Sequence, residues 1–309
     1  MSEFGTRASW WDLPPSVHAW AEDALGAPVV EAVSQAGGFS PGTADRVGTA
    51  EGRRAFVKAV STAHNPDTPG LHRREVGVLR SLAEDDLDVA PALLASFDDG
   101  DWVAIMTEEV SGRHPHQPWT DAELAATLEA LTEIAAHRAP SSWPDLAEEL
   151  TGEFGCWARL GEDPPVDLDP WAVERLEELH DISVRTVRRL SGDAITHTDV
   201  RADNLLVEPR GRVRVVDWPW ASRGAAWFDA SSLLVDVWAV GEVDLRPHLP
   251  AIEALGASRE DIAGVVVGLG GFLLDAARRP PAPGLPTLRA FQRSRGDAAV
   301  RLLQHLRAD

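Results

Sequence analysis

At 309 residues, with 44% hydrophobic and 25% charged side chains, the chain has the make-up of an ordinary globular protein long enough to bury a full core. Its 49 acidic residues against 29 basic ones give a net charge of −20, which argues against a nucleic-acid partner and is compatible with a cationic substrate or simply with solubility. Cys156 is the only cysteine, so no internal disulfide forms and a reducing cytoplasm is the expected location.

The longest uncharged apolar run, residues 262–274, is too short and too Gly-rich to span a bilayer. The polar, acidic N-terminus does not read as a signal peptide, and no membrane partner is expected. Residues 10–25 read as a leading helix with Pro14 and Pro15 near its start and Val17, Trp20 and Leu25 along one side. A strand over 29–33, a Gly-rich turn over 35–42 and a second strand over 44–49 follow. In that turn Gly37, Gly38 and Ser40 can bring backbone N–H groups close to an anion. A Walker A loop is excluded, because no Gly-Lys-Ser/Thr occurs.

After the Glu51-Gly52 turn an apolar strand over 55–60 carries Lys58, the only lysine in the chain. A sequence that writes every other positive charge as arginine keeps one compact ammonium here. Residues 71–82 show helical spacing of Leu71, Val76, Val78, Leu79 and Leu82, and carry Glu75; Glu84 lies just beyond. Strands over 90–97 and 102–106 flank an acidic turn and lead into a linking segment over 106–112. The pattern then turns helical: 121–137 with Thr120 as its cap, 146–160, and 170–190, around an acidic, Pro-rich link over 161–169. Glu148, Glu149, Glu153, Glu162 and Asp163 there can meet substrate amines or form a solvated face. Apolar helical segments over 235–240, 262–277 and 288–306 close the chain.

The stretch 194–220, AITHTDVRADNLLVEPRGRVRVVDWPW, reads as a loop between short strands, with a turn at Arg210-Gly211. Asp199 can orient a hydroxyl and accept its proton, while Asn204 and Asp217 can offer oxygens to magnesium, which prefers hard oxygen ligands. In the form His197-x-Asp199-x4-Asn204 followed by Val216-Asp217-Trp218, the stretch resembles the aminoglycoside phosphotransferase and choline kinase family. Protein kinases carry Arg after the His and Phe-Gly after the metal Asp. Thr198 stands where the small-molecule kinases usually have Gly.

The resemblance implies an α+β, two-lobed protein-kinase-like fold: a small N-lobe with an antiparallel sheet over 1–112 and a larger, mainly helical C-lobe over 113–309. It implies ATP, or alternatively GTP, with Mg²⁺ held by Asn204 and Asp217. Gly37, Gly38 and Ser40 would approach phosphate, Glu75 would hold Lys58 toward it, and the Thr107 carbonyl and Glu109 amide would meet adenine. Asp199 would be the base, His197 would hold the loop by hydrogen bonds, and Asp229 would support it. Arg201 would neutralise phosphoryl oxygens or pair with Asp203. The implied activity is phosphoryl transfer to a small-molecule hydroxyl, first an aminoglycoside or similar cationic antibiotic. The alternatives are a kinase of an amino sugar, a sugar or an amino alcohol of the choline or homoserine type, or a non-catalytic nucleotide-binding module. The chain is expected to act as a monomer or homodimer.

Overall fold

The computed structural model describes residues 9–35, 42–63, 65, 68–85, 87–241, 243–281 and 285–308. Five strands, β1 (Val29–Ser34), β2 (Thr43–Thr49), β3 (Arg54–Ser61), β4 (Leu93–Asp98) and β5 (Trp102–Thr107), form an antiparallel sheet in the order β1-β2-β3-β5-β4. The central strand is β3, with Lys58 opposite Ala44 on one side and Ile105 on the other. The two-residue period of a strand sends Ala55, Val57 and Ala59 to one face, where they are buried against Trp10 and against Val17, Ala21 and Leu25 of α1 (Pro15–Leu25). Lys58 therefore points to the opposite face, which α2 (Thr68–Glu84) covers.

The leading helix starts at Pro15, not Trp10, because Pro15 is suited to the first helical position, where no N–H is needed. Residues Trp10–Asp12 make a separate 3-10 turn, closed by the Ser9 N–H donating to the Asp12 carboxylate at 3.0 Å.

The larger lobe is helical: α3 (Asp121–Ala135), α4 (Leu146–Phe154), α5 (Cys156–Glu162), α6 (Pro170–Val173), α7 (Leu176–Val187), and then α8 (Phe228–Ala239), α9 (Leu249–Ala254), α10 (Arg259–Ala277) and α11 (Leu288–Ala308). Thr120 caps α3 by accepting the Glu123 N–H, as its sequence position implies. The expected helix over 146–160 is two helices, parted at Gly155. Between α7 and α8 lie two short hairpin-like pairs, β6 (Ala194–Thr196) with β9 (Ser222–Gly224) and β7 (Leu205–Val207) with β8 (Val213–Val215).

Helix α10 runs through the centre of this lobe, and its glycines let neighbours approach closely. A Cβ at Gly268 would lie 2.2 Å from the Phe154 ring and one at Gly271 2.6 Å from Trp157. A single apolar core joins α2 (Val76, Leu79, Leu82) and Ile105 of the sheet to these helices. Polar ties reinforce that join: Arg214 donates to the Ala90 carbonyl at 2.9 Å and to Glu108, and the Val215 N–H donates to the Val89 carbonyl at 2.9 Å. Among the described residues no helix is long and apolar enough to cross a membrane.

Candidate active site

The loop between β6 and β7 is shaped by α8. Asp229, in the first turn of α8, is buried and accepts the His197 N–H at 2.6 Å and the Thr198 N–H at 2.9 Å. Two turns along, Asp236 accepts the Ala202 N–H at 3.0 Å and is itself held by Arg295 of α11 at 2.9 Å. Burial pushes the Asp229 carboxyl up, while His197 and the two amide donors oppose that push. The support that the resemblance assigns to Asp229 is thus two hydrogen bonds to the loop backbone.

His197 is fully buried, its Nε2 donates to the Val216 carbonyl at 3.0 Å, and its Nδ1 accepts the Asp199 N–H at 3.3 Å. Burial lowers its pKa, which suits a neutral ring that donates at one nitrogen and accepts at the other. The Trp218 ring meets it edge-on at 4.7 Å. His197 therefore ties the loop carrying Asp199 to the chain just before Asp217.

Asn204 donates through Nδ2 to the Asp199 carbonyl at 2.8 Å and to its carboxylate at 3.1 Å. Burial, against the pull of Arg201 and helped by the charges of Asp217 and Asp203, leaves the Asp199 carboxyl raised to about 6. The side chain keeps 29% of its surface open to solvent, so a hydroxyl can reach it. Arg201 forks onto Asp203 at 2.9 and 3.0 Å and keeps Nη1 3.3 Å from Asp199. Its guanidinium also lies over the Phe291 ring at 5.5 Å, and Arg295 lies 4.5 Å from the centre of that ring.

Lys58 reaches both oxygens of Glu75, at 2.9 and 3.0 Å, and the Asp217 carboxylate at 2.5 Å. Burial alone would lower the Lys58 pKa, but Asp217 and Glu75 outweigh it and hold the ammonium charged. Burial also pushes Asp217 up, yet Lys58 brings it down to about 2, whereas Glu75, deeper inside, stays raised. Glu75 accepts the Trp218 N–H at 3.3 Å as well, so it is a buried anchor and not a solvated helix residue; Glu84 is exposed.

The chemistry of the donor set fits magnesium. The Asn204 amide nitrogen is engaged with Asp199, which leaves its carbonyl oxygen for a cation, and Asp217 gives Lys58 one carboxylate oxygen and has a second. Both Thr198 and Asp217 hold left-handed backbones, φ 67° and 69°. For side chains other than glycine this costs about 1–2 kcal/mol each.

Thr107 is buried at the end of β5, opposite Phe56 and Leu93, and the Glu108 N–H donates to the Ala92 carbonyl at 2.9 Å. The Glu109 side chain pairs with Arg54 at 2.6 Å and Arg46 at 3.7 Å. Gly37, Gly38 and Ser40 lie outside the described residues. In the acidic insert, Glu149 pairs with Arg74 and Asp163 with Arg278, both at 3.4 Å, while Glu148 and Glu162 are exposed. Asp236, Arg295 and Phe291 escaped the reading of the sequence. The one signal was Asp236 itself, a lone charge in the apolar run Leu233-Leu234-Val235-Asp236-Val237.

A model of the phosphotransferase enzyme family matches residues 36–263. No curated protein matches the chain significantly. An aminoglycoside phosphotransferase from Alicyclobacillus acidocaldarius has a similar structure, with TM-score 0.65 and 18% identity over 98% of this chain and 97% of that one. A Haemophilus somnus protein assigned as a fructosamine-3-kinase aligns with TM-score 0.59 and 10% identity over 94% and 96% of the two chains. A thermostable mutant of aminoglycoside phosphotransferase APH(4)-Ia, in ternary complex with ADP and hygromycin B, aligns with TM-score 0.57 and 17% identity over 93% and 98%. At these identities the likenesses establish the kinase-like fold.

Proposed function

The chain belongs to the phosphotransferase enzyme family and is a small-molecule phosphotransferase, and from that membership we propose that it moves the γ-phosphoryl group of ATP to a hydroxyl of a cationic acceptor, an aminoglycoside or similar antibiotic. The observation that carries this reading is Asp199, solvent-accessible, oriented by Asn204 and Arg201, on a loop that His197 ties to Val216, next to Asp217, which shares Lys58 with Glu75. Asp199 accepts the proton of the acceptor hydroxyl, and Arg201 stays beside it as fixed positive charge. Lys58, clamped by Glu75, presents its ammonium to the nucleotide phosphates. Asn204 and Asp217 would hold Mg²⁺, which when bound supplies charge neutralisation at the phosphate oxygens. Alignment of hydroxyl and phosphoryl group supplies roughly 7–11 kcal/mol of the barrier lowering in such reactions. The enzyme works in the cytoplasm as a monomer or homodimer.

An amino-sugar acceptor is the second reading, favoured by the likeness to a fructosamine-3-kinase. Both are tested by coupled ADP release with ATP, or GTP, and Mg²⁺ against aminoglycosides, other antibiotics, amino sugars and amino alcohols, with Asp199→Ala as control. Strong turnover of one cationic antibiotic, lost in the control, is the expected result. Turnover of an amino sugar alone moves the reading to the second acceptor class. Silence across the panel with nucleotide still bound overturns the transfer reading in favour of a binding module.

A further inference from the structure

Thr198 combines two features. Its φ of 67° is one a β-branched residue rarely adopts and a glycine takes without strain. Its Oγ1 lies 2.5 Å from the Trp220 carbonyl and 2.6 Å from that of His197. Strands β6 and β9 pair in the register Ala194 with Gly224, Ile195 with Arg223 and Thr196 with Ser222, so Thr198 and Trp220 stand where the ladder would continue. The backbone cannot continue it there, because the left-handed turn delivers the Thr198 N–H to Asp229. The hydroxyl takes the place of that missing ladder bond. The Trp220 carbonyl accepts from Ser222 Oγ as well, at 3.1 Å, which fixes its direction.

We infer that Thr198 is a positioning residue: its hydroxyl fastens the loop carrying Asp199 to the segment following Asp217 and so sets the two carboxylates relative to each other. The strained backbone is retained because glycine would relieve it and lose the tie. This rests on the reading of Asp199 as the base.

Three variants separate the tie from the strain. Thr198→Ser keeps the hydroxyl, Thr198→Val keeps the shape without it, and Thr198→Gly relieves the backbone and removes the tie. With whichever acceptor turns over, or water where none does, Gly and Val should lose about ten- to a hundredfold in kcat, since misplacement of about 1 Å costs up to about 10²-fold. KM for ATP should move less than about threefold, and Ser should retain most of kcat. Hydrogen exchange in peptides spanning 217–222 should quicken in the Gly variant and stay slow in Ser, a readout that needs no acceptor. A Gly variant with wild-type kcat and wild-type exchange overturns the inference, even if Val fails to fold. If Asp199→Ala is inactive in that same comparison, only this inference has failed; if Asp199→Ala is fully active, the functional reading has failed with it.

Discussion

The loop carrying Asp199 and the Lys58 cluster meet at Val216 and Asp217 but are assembled differently. The loop takes its shape within one lobe, from Asp229 and Asp236 on α8, which accept three of its backbone N–H groups. The cluster forms only where β3, α2 and the segment after β8 come together, with 159 positions between Lys58 and Asp217. A buried helix thus templates the loop, whereas the ion cluster depends on how the lobes sit against each other. The proposed reaction needs both, because it places the acceptor base in the first and the charges that meet nucleotide in the second.

Perturbations should separate the two regions. Asp199→Ala should reduce kcat by about 10²–10⁴-fold while leaving nucleotide binding intact, as calorimetric titration with ATP can check. Asp229→Ala leaves two buried amides without an acceptor and should cost about 1–3 kcal/mol for each, read as a lower urea midpoint together with faster exchange in the loop. Lys58→Met leaves Glu75 and Asp217 without their shared cation. It should cost about 3 kcal/mol, the low end for a broken buried pair because Asp217 keeps 36% of its side-chain surface in solvent. Nucleotide affinity should fall in that variant while loop exchange stays slow, and quickened loop exchange would show the two regions to be one unit.

The smallest effect is expected at Glu123, where α3 meets the segment linking the lobes. Burial alone would raise its carboxyl, but Arg113, Thr120 and His116 outweigh it and hold it at about 2, against an ordinary value of 4.5. The folded state binds this proton less readily than the unfolded one, so the stabilisation is complete above pH 4.5 and is lost as pH falls toward 2. On the order of 1–3 kcal/mol is involved, and Glu123→Gln should flatten the stability slope in that window, as urea unfolding at pH 5 and pH 3 can measure.

Much of the site could be read from the chain because its residues follow one another closely. Asp199, Asn204 and the turn at Gly211 lie within thirteen positions, so their spacing already constrains their geometry. The sole lysine stood out by composition, and Glu75 by the family resemblance, which puts the partner of that lysine on the helix that follows. Helix α8 was foreseen only over 235–240 because it is buried all round, with Asp229, Ser231, Ser232 and Asp236 inside, and so shows no polar face to mark its length. Strand β9 went unseen since Ser222-Arg223-Gly224 has no strand signature of its own and forms by pairing with β6.

From the sequence alone came the family resemblance, the order of the elements and the identity of the charged groups, because side-chain chemistry and periodicity are local properties. Tertiary structure settled that Lys58 bridges Glu75 and Asp217, that Arg201 shares its charge between Asp203 and Asp199, and that Thr198 holds a glycine-like turn. The Lys58 contacts join segments far apart in the chain and the Arg201 pairs are a choice among near neighbours, and in both burial and neighbouring charge, not spacing, determine which partner a group takes.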